Sequence, residues 1–394
     1  MILRLVSLLI VILVVVEPPL RASDESGVPT QFQGHTPGSK LTINYDDLTT
    51  VLETTVMRAG QSDRREAPTA RPAAGSRIKR GNSKPTRLEG NRVDFHVFLG
   101  GNLKMMQRLR DDIAAVPSVL PLGDLNKDEQ LAYWLNLYNV TLITQIGKIF
   151  PETNLRKFYP TLWDEKVITV SGIPMSLNDM QHKVIIPKFK NPLVMYGMFQ
   201  GVVGSPNIRR RAFEGRNVWE MLERNAREFV NSNRGARYKW GKLRVSEFYE
   251  INAALFPNFE QDLKRHLYKY AYASFRDKVR EAKSLRADID DWYVADLYGG
   301  NRAISSANTN GAAMLMSIKS GASGAGGSGG ADGGAIESAW FMKMDTLNMN
   351  RTRFPIHVVE YLHKKEKRDR KTRVGNVEVE EYETPADESG TQDN

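Results

Sequence analysis

The chain has 394 residues, a hydrophobic fraction of 41% that suffices for an ordinary core, and a formal net charge of +9 at pH 7. It contains no cysteine, which excludes thiol catalysis, disulfide bonds and cysteine–zinc sites. Its stability must therefore come from packing, in a domain near the upper end of the usual size range.

Residues 1–23 have the pattern of a secretory signal peptide. Arg4 provides the positive charge, and residues 5–16 form an apolar run shorter than the ~20 residues that span a bilayer. We therefore expect cleavage and a secreted, extracellular protein, with the periplasm as the alternative location and no integral membrane segment after cleavage. An uncleaved anchor is the competing interpretation, because Leu20 and Arg21 match the small residues of a cleavage site poorly.

The rest of the chain divides by composition. Residues 24–40 are polar with Pro and Gly and are predicted to be a linker, whereas residues 41–305 carry the pattern of one main domain. Inside it, residues 59–88 have almost no apolar side chains and are predicted to be a disordered basic insertion. A Gly/Ser-rich linker is expected at 306–339, followed by a small extension at 340–394 that ends in a basic and then an acidic run.

The strongest helix signal lies in the middle of the main domain. Asn126 with Glu129 three residues later is typical of a helix start, and the apolar run continues over 131–150 to Pro151. The apolar residues cover more than one face, which predicts a buried helix. We expect the rest of the domain to pack around it.

Hydrophobic periodicity predicts the other elements. A helix with an apolar stripe from Leu103 to Ile113 should have Asn102 as its N-cap and end before Pro117. Further helices are predicted at 45–57, from Ser176 onward, and at 218–230, 246–255 and 261–283, and strands at 167–170, 193–199 and 242–245. The predicted fold is α+β: a mainly helical single domain around a buried central helix with a small sheet, plus the disordered insertion and tail.

The most unusual part of the central helix is the segment 132–139, which reads AYWLNLYN. An amide taken out of water without a partner costs a few kcal/mol, so Asn136 and Asn139 either bind neighbouring backbone or face a ligand. Trp134 and Tyr138 lie one helical turn apart, a spacing that favours packing in the core. Trp134, Asn136 and Asn139 are therefore candidate ligand-binding residues, with a structural role as the alternative.

This helix resembles that of a family known as domain of unknown function 547, which carries an aromatic-Trp-x-Asn-x-Tyr-Asn motif. Later landmarks follow in a similar order: a Ser-Leu-x-Asp-x-x-His segment at 176–182, a Ser-Pro turn at 205–206, a Phe-Pro pair at 256–257 and an aspartate–aromatic segment at 290–293. The resemblance covers residues 41–305 and marks the chain as a divergent member.

The chain departs from the family pattern where the family has its reactive residues. Leu193 and Met195 occupy the usual Arg and His positions, and Gln200 and Ser205 occupy the two Cys positions. The resemblance implies nucleophilic or redox chemistry for that Cys/His set. This chain lacks the thiols and one imidazole that such chemistry uses, and Gln200 becomes a further candidate for ligand binding.

Three residues remain as catalytic candidates. His182 lies three residues after Asp179 on a predicted helix, so that the carboxylate can orient the imidazole for acid–base work. Ser205 would then act as the nucleophile in place of a thiol, as in a hydrolase or acyl transferase. The alternative is that both helix residues are surface groups and that Asp179 interacts with the helix dipole.

No metal site and no cofactor are predicted. The six histidines include no pair with the i, i+4 spacing of a helical zinc site. The basic arms at 58–87 and 364–373 contain no aromatic residues, which disfavours specific nucleic-acid recognition and leaves weak contact with anionic surfaces. Other partners are unknown. The predicted function is that of a secreted, non-catalytic binding or structural domain, with the hydrolase or acyl transferase as the alternative.

Overall fold

A computed structural model describes residue 25, residues 27–69 and 82–297, and residue 364. The predicted signal peptide, Gly/Ser-rich linker and C-terminal extension lie outside these described residues, except for Lys364, whose Nζ is 3.0 Å from a carboxylate oxygen of Asp63. The described residues form one α+β domain, mainly helical with small sheets, as predicted. No helix among them is both long enough and apolar enough to cross a bilayer.

Helices form most of the regular structure of the described residues. The α-helices are α1 Asp46–Thr55, α2 Gly101–Val119, α3 Lys127–Ile149, α4 Thr161–Asp164, α5 Leu177–Asp179, α6 Ile186–Phe189, α7 Val218–Val230, α8 Phe248–Ile251, α9 Phe259–Tyr270 and α10 Ala273–Glu281. The 3₁₀ segments are Thr30–Phe32, Phe95–Phe98, Leu122–Asp124, Leu155–Phe158, Pro192–Gly197 and Ala253–Leu255, and a π-helical turn, Met180–Ile185, joins α5 to α6.

Three small sheets complete the described fold. Their strands are β1 Val56–Met57, β2 Arg92–Val93, β3 Ile168–Val170, β4 Ile173–Met175, β5 Ala236–Lys239, β6 Lys242–Ser246 and β7 Ser284–Ile289. β1 pairs with β2 and β3 with β4, both antiparallel, while β6 lies between antiparallel β5 and parallel β7. The strands predicted at 167–170 and 242–245 are confirmed.

α3 is the central helix that the sequence predicts. Asn126 caps it, since its side chain accepts a hydrogen bond from Glu129 N at 2.9 Å. Every residue from Glu129 to Gly147 is buried, so neighbouring elements cover the helix on all sides. A Cβ on Gly147 would lie 2.8 Å from Leu103 Cδ1, so the missing side chain allows α2 to approach closely.

α2 is longer than predicted. It begins after Gly100, and Asn102 is not its N-cap, because Asn102 Nδ2 donates to Val97 O at 2.8 Å instead. Pro117 lies inside the helix rather than beyond it. Proline is tolerated there because the missing N–H removes only one hydrogen bond close to the helix end, and Leu120 N still donates to Val116 O at 2.9 Å.

The predicted strand at 193–199 is wrong, because Pro192–Gly197 forms 3₁₀ turns. The segment is buried, but side chains rather than a neighbouring strand satisfy its backbone. Asn139 of α3 accepts from Phe199 N and donates to Gly197 O. A short apolar run has no periodicity that separates a buried strand from a buried turn.

The predicted long helix at 261–283 is in fact two helices, α9 and α10. Asn231, just after α7, explains the break. Its Nδ2 donates to Tyr270 O at 2.9 Å and its Oδ1 accepts from Tyr272 N at 2.7 Å. These backbone groups would otherwise bond within a continuous helix. The break is thus made by a tertiary contact that local periodicity does not contain.

The segment predicted as a linker at 24–40 packs on the domain in its described part. Phe32 is buried, and its ring lies edge-on to that of Trp134 with the centroids 4.8 Å apart. Gly34 O accepts a hydrogen bond from the buried Lys188 Nζ at 3.0 Å. The linker prediction is wrong because one aromatic side chain and a few carbonyls anchor an otherwise polar segment.

The disorder predicted for 59–88 is also wrong for the described parts of that segment. The guanidinium carbon of Arg64 lies 3.8 Å from the centroid of the Phe275 ring, and burial lowers the pKa of Arg64 to about 10. At the other end, Asn82 Nδ2 donates to Asp291 Oδ1 at 3.0 Å. The polar side chains of this segment bond to the domain instead of remaining in solvent.

Residues 291–297, which we call the closing segment, lie between β2 and the loop at 200–205. Val93 N donates to Ala295 O at 2.8 Å, and Ala295 N donates to Gly201 O at 2.8 Å. The closing segment therefore joins an early and a middle part of the chain. It also brings Asp291 next to the loop that carries Ser205.

Candidate functional site

The two asparagines of α3 bind loop backbone. Asn136 Nδ2 donates to Phe213 O at 2.8 Å, and Asn136 Oδ1 accepts from Phe213 N at 2.9 Å. Asn139 holds Gly197 O at 2.8 Å and Phe199 N at 3.0 Å in the same way. The cavity beside the two asparagines has a volume of about 10 Å³, no more than one water requires. These contacts correspond to the structural alternative, in which the amides tie loops to the helix.

Trp134, the third candidate in this helix, is fully buried. Its ring packs edge-on against Phe32 and against Tyr133, with centroid separations of 4.8 and 5.2 Å. A ring covered in this way presents no face to a ligand. Its surroundings are those of a core residue.

Gln200 belongs to a buried hydrogen-bond network of polar side chains. Its Nε2 donates to Tyr138 OH at 2.7 Å, and Tyr138 OH lies 3.4 Å from Gln181 Oε1. Gln181 Nε2 in turn donates a hydrogen bond to Asn252 Oδ1 at 3.0 Å. Burial raises the pKa of Tyr138 far above its usual value, so its hydroxyl stays neutral. This hydrogen-bond network connects α3, the π-helical turn and the end of α8.

Ser205 is buried and its hydroxyl bonds to backbone. Ser205 Oγ donates to Val202 O at 2.9 Å and accepts from Gln200 N at 3.3 Å. Arg234 Nη1 donates to the Ser205 carbonyl oxygen. Within the part of the chain that the structure describes, no histidine or carboxylate side chain hydrogen-bonds the Ser205 hydroxyl.

A small cavity adjoins Gln200 and Ser205 and also borders Glu247, Asp291 and Trp292. Its volume is about 20 Å³, which is room for one water but far below the ~300 Å³ of a typical ligand pocket. Glu247 Oε2 accepts from Trp292 Nε1 at 2.9 Å. Gln200 and Ser205, which stand where the family usually has cysteine, thus line the same cavity. The Asp291 carboxylate of the closing segment lies beside them.

Asp291 also lines this cavity, although the sequence does not mark it as a candidate site residue. Its carboxylate accepts from Asn82 Nδ2 at 3.0 Å and from Thr86 Oγ1. Burial raises the pKa of Asp291, while Thr86, Arg92 and Asn82 act in the opposite direction. The aspartate–aromatic landmark at 290–293 is the signal that points to it.

Asp179 acts as a helix-capping residue. It forms a capping box with Ser176, since Asp179 N donates to Ser176 Oγ at 3.0 Å and Ser176 N donates to Asp179 Oδ2 at 2.8 Å. Lys166 and Lys183 form ion pairs with the same carboxylate. Partial burial alone would raise the pKa of Asp179, but these ion pairs and hydrogen bonds hold it well below its usual value. The predicted helix start at Ser176 is confirmed.

His182 lies on the solvent-exposed side of the same helical stretch. It forms no hydrogen bond with any described residue, and it does not line the cavity at Ser205. Partial burial lowers its pKa, and the nearby Asp164 works against that shift. His182 therefore forms no hydrogen-bonded pair with the Asp179 carboxylate. It also does not contact the Ser205 hydroxyl.

The other two positions that depart from the family pattern are packing positions. Met195 is fully buried, and Leu193 is half-buried against the core. The residue after Met195, Tyr196, forms a buried polar pair in which its hydroxyl lies 2.9 Å from His266 Nε2. Burial, with a smaller effect of Lys269, lowers the pKa of His266 to about 3, so the ring stays neutral.

The sequence model of a family described as "Protein of unknown function, DUF547" matches residues 122–230. The match supports membership of the DUF547 family for this central part of the chain. No curated protein and no solved structure matches the chain. The DUF547 match includes α3, α7 and the Gln200–Ser205 loop, whereas Glu247 and Asp291 come from outside the matched range.

A buried carboxylate pair also lies outside the DUF547 match and is not indicated by the sequence. Asp94 accepts from His96 N at 3.2 Å, and Asp296 Oδ1 accepts from Phe95 N at 3.1 Å. Burial and the neighbouring Asp296 carboxylate raise the pKa of Asp94 to about 7. Among the described residues, no group of three or more His, Asp or Glu side chains is arranged to hold a metal ion.

Proposed function

We propose that this DUF547 member is a secreted protein without catalytic activity that acts by surface recognition or as an architectural domain. The observation that carries the proposal is the bonding of Ser205 Oγ, which contacts Val202 O and Gln200 N instead of a base. A nucleophilic serine needs an aligned general base and donors for the oxyanion. Ser205 has backbone partners in their place.

The surroundings of the other departures support the same proposal. Met195 fills the core, and Gln200 Nε2 is committed to Tyr138. The hydrolase or acyl transferase alternative needs His182 and Asp179 to act on Ser205. The carboxylate of Asp179 is occupied by two lysines and a backbone amide, and no contact links His182 with Ser205.

Surface recognition is favoured over binding in an interior pocket. The cavities at the α3 asparagines and at Ser205 have volumes of about 10 and about 20 Å³. A small organic ligand occupies hundreds of Å³ in a typical site. A partner would therefore bind on the outside of this domain.

An activity-based probe tests the absence of catalysis. We expect a fluorophosphonate, which labels activated serines, to leave the intact protein unmodified at Ser205. The matched control pair is Ser205→Ala and Ser246→Ala, because Ser246 is a buried serine at the same cavity. Labelling that Ser205→Ala abolishes, that Ser246→Ala spares and that His182→Ala reduces would establish the enzyme alternative.

Export is the second part of the proposal, and the apolar run at 5–16 after Arg4 supports it. Intact-mass measurement of the full chain expressed in a secretory host tests it. We expect a product in the medium that begins near residue 24. A product that retains Met1 and stays with the membrane fraction would indicate the uncleaved anchor.

A further inference from the structure

The tip of the β5–β6 hairpin has an unusual residue in its turn. Lys239 pairs with Lys242, so Trp240 and Gly241 alone connect the strands. Their φ values are +53° and +74°, the conformation of a type I′ turn. That turn favours Asn-Gly, and a bulky residue with a positive φ is an outlier. Trp240 is therefore unfavourable for the local backbone.

Trp240 gains no compensating burial within the described fold. It is 84% exposed, the most exposed aromatic residue that the structure describes. Its described ring contact is the ammonium group of Lys239, 4.5 Å from the ring centroid. Trp134, Trp163 and Trp292 are buried in the domain. Neither backbone conformation nor packing accounts for a tryptophan at this position.

Uncompensated positive charge surrounds the tip. Lys239, Lys242 and Lys283 are exposed, and Lys283 N donates to Gly241 O at 3.0 Å, which places it beside the turn. None of these three lysines forms an ion pair with a described residue. Farther along the same strands, Arg237 and Arg244 are paired with Glu66 and Asp288. The arginines of β5 and β6 are thus paired with carboxylates, whereas the lysines at the tip are not paired with any described residue.

We propose that the segment 239–242, together with Lys283, is a peripheral anchor that inserts Trp240 into the surface of an anionic phospholipid membrane. Tryptophan is enriched at the membrane–water interface because its ring is apolar and its N–H is polar. Basic residues near an anionic surface add an electrostatic attraction. A convex tip with a flat, exposed ring enters a deformable lipid surface without the preformed pocket that a folded partner would have to offer.

The inference goes beyond the proposed absence of catalysis and does not depend on it, because no tip residue lines the cavity at Ser205. It also differs from weak contact through the basic arms. Those arms attract any polyanion, whereas insertion of Trp240 needs an apolar layer beneath the charged surface.

Co-sedimentation of the full chain with vesicles tests the anchor. We expect binding to phosphatidylcholine vesicles that contain phosphatidylserine and weak binding to phosphatidylcholine alone. Trp240→Asn should weaken binding at least about tenfold, since it removes the apolar ring that enters the lipid. The double variant Lys239→Gln/Lys242→Gln should lose about fivefold for each lysine. Val119→Ala, which changes an apolar residue that is 89% exposed elsewhere, should bind like the unmodified chain.

Trp240→Asn suits the turn, so loss of folding does not obscure the result, and circular dichroism checks this. Unchanged vesicle binding of Trp240→Asn would overturn the proposal, because it would assign binding to the basic arms. Absence of binding to phosphatidylserine vesicles would overturn it as well. So would a heparin interaction that requires Trp240 without any vesicle binding, since it would identify a soluble polyanion as the partner.

Discussion

The interior around α3 and the tip of the β5–β6 hairpin use their side chains in opposite ways. In α3, the buried amides of Asn136 and Asn139 are hydrogen-bonded to loop backbone, and Asn139 holds Gly197 O and Phe199 N. At the tip, Trp240 is apolar, exposed and in an unfavourable backbone conformation. Buried amides that bond loop backbone are explained by stability, whereas an exposed tryptophan at a costly position is not. The feature that stability does not explain therefore lies on the surface of the domain and not in its interior.

The largest expected effect is that of Asn139→Ala. The substitution leaves Gly197 O and Phe199 N buried without partners, at ~1–3 kcal/mol each. The free energy of unfolding should therefore fall by roughly 4 kcal/mol, which urea denaturation measures.

The matched control is Asn178→Ala, because Asn178 Nδ2 bonds Asp164 Oδ1 at 2.7 Å on the exposed surface. Its loss should stay below about 1 kcal/mol. Equal losses in the two variants would break the comparison, since they would mean that burial of the α3 amide carries no particular weight.

The second effect concerns His266, whose pKa in the folded protein is about 3. In the unfolded chain a histidine takes up a proton near pH 6.5, at about its usual pKa. The unfolded state therefore binds more protons below that pH, and stability falls on acidification by up to about 1.4 kcal/mol per pH unit.

His266→Gln is expected to flatten this acid limb when thermal unfolding is measured between pH 7 and pH 4. Gln keeps a polar group near Tyr196 but does not titrate in this range. The matched variant His182→Gln concerns an exposed ring and should change the slope much less. Identical slopes for His266→Gln and the unmodified chain would show that the core imidazole is not held neutral.

The third effect has the opposite sign and comes from Asp94, whose pKa is raised to about 7. The folded state keeps this proton as pH rises above about 4, where an unfolded aspartate has lost it. Stability should therefore decline with increasing pH up to about 7 because of Asp94. Asp94→Asn should lack this decline, so the stability of the unmodified chain relative to the variant should fall between about pH 4 and pH 7. A difference that stays constant across that range would contradict the assignment.

The smallest effect is a gain in stability, and it sharpens the comparison most directly. Trp240→Asn should raise the free energy of unfolding by about 1 kcal/mol, because asparagine tolerates a positive φ that costs a bulky residue about that much. Thermal unfolding of the variant measures it. A substitution that stabilises the protein while it weakens membrane binding would separate the function of the tip from its structure. A clear loss of stability would show that Trp240 supports the hairpin.

Elements with strong local signals could be predicted from the sequence. α3 carries its cap at Asn126 and a long apolar run, and Ser176 with Asp179 marks the start of α5. Long-range contacts could not be predicted. Asn231 divides a helix that periodicity makes continuous, and Phe32 anchors a segment whose composition indicates a linker.

The candidate site shows the same limit. The motif in α3 and the departures at Gln200 and Ser205 could be recognised locally. Whether their side chains faced a pocket or the interior depended on Tyr138 and on Asp291, which the fold brings together from distant positions. Trp240 could have been noticed in the sequence as a tryptophan before glycine between two lysines. Its meaning depended on the positive φ and the exposure that only the structure shows.

The closing segment has a consequence for synthesis of the protein. Val93 and Gly201 obtain backbone partners only when Ala295 has left the ribosome, so the growing chain must wait with an unfinished core until nearly the whole domain is translated. A nonsense codon shortly before Asp291 would remove only a small part of this domain. It would nevertheless take away the strand-like piece that joins its early and middle parts, and the shortened product is expected to be a substrate for proteases.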